Sequence, residues 1–409
     1  MKKKITLTTT FIIISSLIIL LTYKKDNNVT FSDTSKNNNN LLSIMLETSS
    51  GSGNYQESLS NTFPTNGYIF NENLSNCENG SKISWNEENK SISVKSNKAD
   101  KCHLYFDIYE PTLAETIINL YTGTQGENSI YYHDSNLTNG ANDNSYRYAG
   151  ANPNNYVCFG SDESTCPNDN LYRIIGVFNN QIKLIKYDYA NSNLLGTNGD
   201  YSTETYKKSG FETYKGELDS VNLYYWNYKN DTSINNGQGS NTWSTSLLNK
   251  TNLNTNYLNN IGSKWAKMID MTTWKIGGNT REKIELVSVS VAYQNELVTP
   301  YSNTTYDAKI GLIYVSDYTY AASPSAWTLV IDKYYSIKNE NWLYMGMYEW
   351  TLTARIGTSY GLYSFDYGGS VSDISSYFPQ TIRPTFYLNN SVIKKSGDGT
   401  KTNPYRISN

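Results

Sequence analysis

The sequence predicts an α+β protein. A small all-β part stapled by a disulfide comes first, then a larger part whose strands and few helices are joined by long loops. An N-terminal transmembrane helix precedes both. Three observations carry this reading. Short β-type runs recur along the chain between Asn/Gly/Ser clusters, among them KISW, SISV, LYRIIGVF, QIKLIKYD and SYGLYSFDY. Helical periodicity is confined to the stretch after Pro111 and to the segment from Trp243 to Asp270. Finally, the four cysteines fall as Cys77 with Cys102 and Cys158 with Cys166, each couple within one apparent structural unit.

The composition excludes several classes. Of 409 residues, 34 are Lys or Arg and 37 Asp or Glu, and only 17% are charged. No basic surface is available to displace phosphate counterions, which excludes nucleic acid as a partner. The hydrophobic fraction of 38% is too low for a multi-span membrane protein. With 37 Tyr and an aromatic fraction of 14%, the chain is too aromatic to be disordered. Asn, at about 50 residues, is far above ordinary usage. Only His103 and His133 are histidines.

Residues 1–25 read as a signal anchor or a signal peptide. Lys2, Lys3 and Lys4 precede an apolar run from Ile5 to Tyr23, near the length that spans a bilayer. No small-x-small cleavage site closes the run, which favours an uncleaved anchor. Either form puts the remainder outside the cytoplasm, on the cell membrane or secreted. The leader carries five lysines and no acid, so the net −3 conceals a body of about −8. Outside the cytoplasm an even cysteine count implies two disulfides. Three pairings exist, and the sequence-local ones are favoured.

Residues 26–40 read as a polar linker ending in NNNN. Residues 41–110 form the small β domain, with a hairpin in which NEENK joins KISW to SISV. Residues 111–130 read as a connector helix, because Leu113, Ile117, Leu120 and Tyr121 share a helix face. Residues 131–409 form the main domain. There LYRIIGVF, Asn179-Asn180 and QIKLIKYD read as a hairpin with a two-residue turn. Lys309–Ser316 reads as a central strand, SYGLYSFDYGGSVSD as a second hairpin, and TIRPTFYL as a strand that Pro384 confines to an edge or a bulge. The Trp243–Ile261 stretch reads as helical, with Ser244 as its cap.

The ordered set YRYAGANPNNYVCFG, YRIIGVFNNQIKLIK, KIGLIYVSDYTYA, EWTLT, GLYSFDYGGSVS, TIRPTFYLNNSV and SGDGTKTNPYRIS lies within residues 112–408. It resembles an uncharacterised extracellular domain family of surface proteins from low-GC gut bacteria, many of which also carry an N-terminal membrane segment. More remotely, Glu349-Trp350-Thr351, the Gly-rich hairpin after it and the strand beginning at Arg383 resemble the C-type-lectin-like fold. That fold is shared with the formylglycine-generating enzymes. The resemblance implies a C-type-lectin-like main domain whose late hairpin region forms a binding face. The calcium-dependent sugar motifs of that fold are missing, and no cysteine follows Cys166.

The residues themselves supply no convincing catalytic set. Glu349, Asp366 and Asp317 are candidate acids, with turn capping as the simpler role. NGANDNS (Asn139 to Ser145) and SGDGT (Ser396 to Thr400) are oxygen-rich, yet turn chemistry explains both without calcium. A triad would rest on His133 beside Asp134 alone. No cofactor and no metal is implied. Aromatic rings are the most suggestive inventory, since they stack on sugar rings and give rigid contact area. Tyr344, Tyr348, Tyr360, Tyr363, Phe365 and Tyr367 are therefore the expected ligand-binding residues, with Trp243 and Trp350 in the core. The expected function is non-catalytic binding of a glycan, a peptide or a host or cell-surface protein. An extracellular carbohydrate-active or protein-modifying enzyme and a structural envelope component are the alternatives.

Overall fold

The structure is a computed structural model that describes residues 28–32, 42–60, 62–64, 66–95, 100–230 and 232–409. The expected leader, residues 1–25, lies outside the described residues. No described helix is long and apolar enough to cross a membrane. The chain divides into two units, Met1–Glu110 and Pro111–Asn409. The architecture is mixed α+β, mostly sheet, with disulfides Cys77–Cys102 and Cys158–Cys166.

In the first unit, alternation sets the register. Ile83 faces Val94 and Trp85 faces Ile92 across an antiparallel hairpin, so one face is apolar. Asn28–Ser32 pairs with Ser91–Lys95 as a third strand, so part of the expected linker is sheet. A second sheet places Leu42–Glu47 parallel to Cys102–Ile108. Leu42, Ile44, Ile92, Leu104 and Phe106 are buried together, and Phe63, Phe70, Trp85 and Phe106 interlock edge to face and stacked. Cys77 sits directly opposite Cys102 in this sheet.

The second unit is built on a seven-stranded sheet. Its order is Ile310–Gly311, Thr385–Tyr387, Gln181–Lys186, Leu171–Phe178, Tyr146–Tyr148 and Ile130–Tyr132, with Tyr156–Cys158 pairing beside Leu171–Arg173. The Asn179-Asn180 turn has φ of 48° and 62°, the left-handed pair that a two-residue hairpin needs. A smaller sheet holds Glu349–Ala354, Gly361–Phe365 and Val371–Ser375. Trp226, Trp243, Trp274, Trp327 and Trp350 are buried in one continuous core.

Four expectations are corrected. The run Lys309–Ser316 is not a central strand. Only Ile310 and Gly311 pair, at the sheet edge, and Val315–Tyr320 is a helix whose first backbone N–H groups are taken by Glu296. Conversely, Thr385–Tyr387 is an interior strand, and Pro384 is tolerated because it lies just before the first paired residue. The connector helix over 111–130 is only Leu113–Ile118, closed by a Thr112/Glu115 capping box; its Leu113, Ala114 and Ile117 belong to the main core. The stretch after Trp243 is a short 3₁₀ turn followed by a wide π-helical segment, Leu248–Tyr257. Ser246, rather than Ser244, accepts the Asn249 N–H there.

Candidate functional site

A polar row crosses the face of the central sheet. Arg147 lies opposite Gly176, Gly176 opposite Lys183, and Lys183 opposite Tyr387. Directly opposed residues share a face, so two cations stand on one side of a buried sheet. Gly176 puts no side chain between them. Space also demands glycine there, because a Cβ would lie 2.3 Å from the Tyr146 carbonyl oxygen.

Buried cations need partners, and each has one. Lys183 Nζ donates to Asp317 Oδ2 at 2.6 Å, with the two side chains 1% and 2% exposed. Arg147 pairs with Asp143 and donates from Nε to Ser145 Oγ at 2.8 Å. Aromatic rings enclose both. The Arg147 guanidinium lies 4.7 Å from the Phe178 ring centre and 4.9 Å from that of Tyr320. Lys183 Nζ lies 4.7 Å from the Tyr314 ring centre, 5.4 Å from Tyr387 and 5.7 Å from Trp274.

These groups line a half-open cavity of about 300 Å³. Arg147, Lys183, Asp143 and Asp317 form its polar floor, and Phe178, Trp274, Tyr293, Tyr314 and Tyr387 its walls. Asn179, Thr273 and Lys275 are exposed and mark the mouth, together with the half-buried Thr272 and Leu297. This volume sits at the lower end of the range for small-molecule sites.

Local sequence explains how the acids arrive. The NGANDNS loop turns through left-handed backbone at Asn139, Asn142 and Asn144. This brings Asp143 under Arg147, where it also accepts from Ser145 and from the Tyr293 hydroxyl at 2.8 Å. Burial pushes the Asp143 carboxyl up, but Arg147, Ser145 and Tyr293 outweigh it and hold it well below the usual range. Asp317 lies in the first helical turn after Tyr314 and accepts the Tyr314 N–H at 2.9 Å. Burial lowers the Lys183 ammonium, and Asp317 reverses that and raises it.

The other candidate groups are accounted for structurally. Glu349 is buried against Arg383, 2.8 Å away. Asp366 caps the late hairpin by accepting the Gly368 and Ser370 N–H groups. His133 is buried, and its Nδ1 accepts the Ala141 N–H at 3.0 Å, so Nε2 carries the proton and meets no acceptor. Burial, then Arg147, hold its pKa well below the ordinary value. Asp134 turns away to Asn136. Asp398 accepts the Thr400 N–H and hydroxyl in the SGDGT turn. Among the described residues no group of three or more His, Cys, Asp or Glu is arranged to hold a metal ion.

The expected ligand face divides. Tyr344, Tyr363 and Phe365 are buried, which corrects their assignment as contact residues. Gly361–Phe365 is the middle strand of its sheet and is covered on both sides, so alternation along it does not mark an exposed face. Phe365 stacks on Tyr318 at 3.9 Å. The Tyr363 hydroxyl donates to the Asn279 carbonyl at 3.4 Å, and that of Tyr344 donates to the Tyr367 carbonyl. Tyr360 is half-buried. Tyr348, half-buried, and Tyr367, 51% exposed, form a surface cluster with Tyr206 and Phe211 at ring separations of 5.5–6.4 Å. Sequence reading missed Arg147, Lys183, Trp274, Tyr293, Tyr314 and Tyr387. The available signal was charge inside strand-like runs, Arg147 within YRY and Lys183 and Lys186 within QIKLIK.

No protein-family model matches the chain, and neither a curated protein nor a solved structure is significantly similar to it.

Proposed function

We propose that this chain is a non-catalytic bacterial cell-surface protein that recognises a glycan, a peptide or a host or cell-surface protein. Its N-terminal segment anchors it to the membrane or directs its secretion, and its C-type-lectin-like main unit carries the binding site in the cavity above the Arg147–Lys183 row. One observation supports this reading best. Aromatic walls surround a polar floor on which each cation is closed by its own carboxylate. Such a floor orients a ligand by hydrogen bonds. Asp143 is engaged by Arg147, Ser145 and Tyr293, which hold its carboxyl well below the usual range, so it does not serve as the general acid of a glycosidase.

The test is an array of glycans, peptides and host proteins probed with the full chain and with Leu297→Trp. That substitution adds an indole at the cavity mouth and leaves every polar group in place. Binding by the parent chain and loss in the variant support the reading. Binding that survives the filled cavity moves the site elsewhere, and turnover of a bound glycan overturns the non-catalytic assignment.

A further inference from the structure

We infer that the cavity takes one neutral pyranose ring, a terminal hexose or N-acetylhexosamine, held through a pair of neighbouring hydroxyls. This deepens the recognition reading above and rests on it. Three features of the floor carry the inference. First, hydrogen-bonding capacity is left over after the ion pairs are made. Arg147 uses Nε on Ser145 and Nη2 on Asp143, and Nη1 donates to no described residue. Lys183 has three N–H groups and spends one on Asp317, with the Tyr387 hydroxyl as a further neighbour. Asp317 Oδ2 accepts from Lys183 and from the Tyr314 N–H, and Oδ1 accepts from no described residue. The floor therefore offers donors and an acceptor side by side, on the two members of the hydrogen-bonded Lys183–Asp317 pair. A hydroxyl both donates and accepts, and two adjacent ring hydroxyls match that arrangement.

Second, the floor is charge-balanced, with Arg147 and Lys183 against Asp143 and Asp317, while the Lys275 ammonium at the mouth donates to the Leu297 carbonyl. A carboxylate or ammonium on the ligand gains one pair of partners, is repelled by the other, and loses its hydration. A neutral polyol pays neither penalty. Third, the walls are aromatic. Phe178, Trp274, Tyr293, Tyr314 and Tyr387 supply ring surface for the C–H face of a sugar. The volume of about 300 Å³ and the half-open mouth suit one ring with its linkage pointing to solvent.

The experiment is calorimetric titration of the full chain with the methyl glycosides of glucose, galactose, mannose and N-acetylglucosamine, and with methyl glucuronide as the charged counterpart. At least one neutral glycoside is expected to bind tenfold or more tightly than the glucuronide. Leu297→Trp is expected to weaken that binding at least tenfold with an unchanged melting temperature. Thr272→Trp, also at the mouth, gives the same loss and serves if the first variant does not fold. Glucuronide binding equal to or tighter than the neutral sugars overturns this inference and leaves the recognition reading standing. So does the absence of any monosaccharide binding when the array detects a peptide or protein ligand. Silence on both the array and the titration overturns the two together.

Discussion

Asp317→Asn is the perturbation that most cleanly separates the fold from the site. Lys183 and Asp317 are both buried, and the ammonium donates to the carboxylate at 2.6 Å. Removing one member of such a pair leaves a buried, uncompensated charge, which costs about 3–5 kcal/mol. The amide keeps an oxygen for the Tyr314 N–H, so the first helical turn stays capped. The rings of Tyr314, Tyr387, Phe178 and Trp274 continue to face the ammonium. These two compensations put the expected cost at the lower end, about 3 kcal/mol. Adding Lys183→Met removes the orphaned charge, and the double variant is expected to lie within about 1 kcal/mol of the parent, about 2 kcal/mol more stable than Asp317→Asn alone. Urea unfolding at neutral pH, followed by tryptophan fluorescence with the slope checked for constancy, measures both. The double variant then remains folded but has lost the donor–acceptor pair of the cavity, so its ligand binding disappears. A cost below 1 kcal/mol for the single variant, or single costs that simply add, would refute the ion-pair reasoning.

The remaining predictions follow from the same geometry. Tyr363→Ala and Phe365→Ala each cost about 3–5 kcal/mol by opening a core cavity, whereas Tyr367→Ala stays within about 0.5 kcal/mol, as thermal unfolding of the three variants will show. His133 has a folded pKa depressed below its unfolded value of about 6.5, so the unfolded chain binds the extra proton below that pH. Stability is therefore full above about pH 6.5 and falls below it by about 1.4 kcal/mol per pH unit. His133→Phe loses that slope, though not its constant cost from the unpaired Ala141 N–H, and an unchanged slope contradicts the assignment. Replacing Cys158 and Cys166 by Ser opens a loop with a sequence separation of 8 and is expected to cost about 2.5 kcal/mol. The same change at Cys77 and Cys102, separated by 25, costs about 3.5 kcal/mol; equal Cm values with and without reductant would contradict both.

Local patterns were legible where the physics is local. The Asn179-Asn180 turn and the Ile83/Trp85 against Ile92/Val94 alternation give their hairpins directly. Long-range context decided the rest. Leu312, Ile313 and Tyr314 are apolar because they are buried, not because they pair, and β-type composition alone does not distinguish the two. Tyr363 and Phe365 alternate as on a half-exposed strand, but the strand Gly361–Phe365 is covered on both faces, which only the tertiary structure specifies. The cavity shows the same division. Asp143 stood out in an oxygen-rich loop and Asp317 as a candidate acid, each for a different chemistry. Their real partners, Arg147 and Lys183, lie 4 and 134 residues away, and strand pairing alone brings the two cations into one row.

The central claim is that ligand is held in the cavity over Arg147 and Lys183. Its most direct test is the structure of the chain in complex with a ligand identified on the array. A ring is expected to lie among Trp274, Tyr314 and Tyr387, with hydroxyls on Lys183 and Asp317. A ligand seated instead on the Tyr206, Phe211, Tyr348 and Tyr367 cluster, with the cavity occupied only by water, would contradict it.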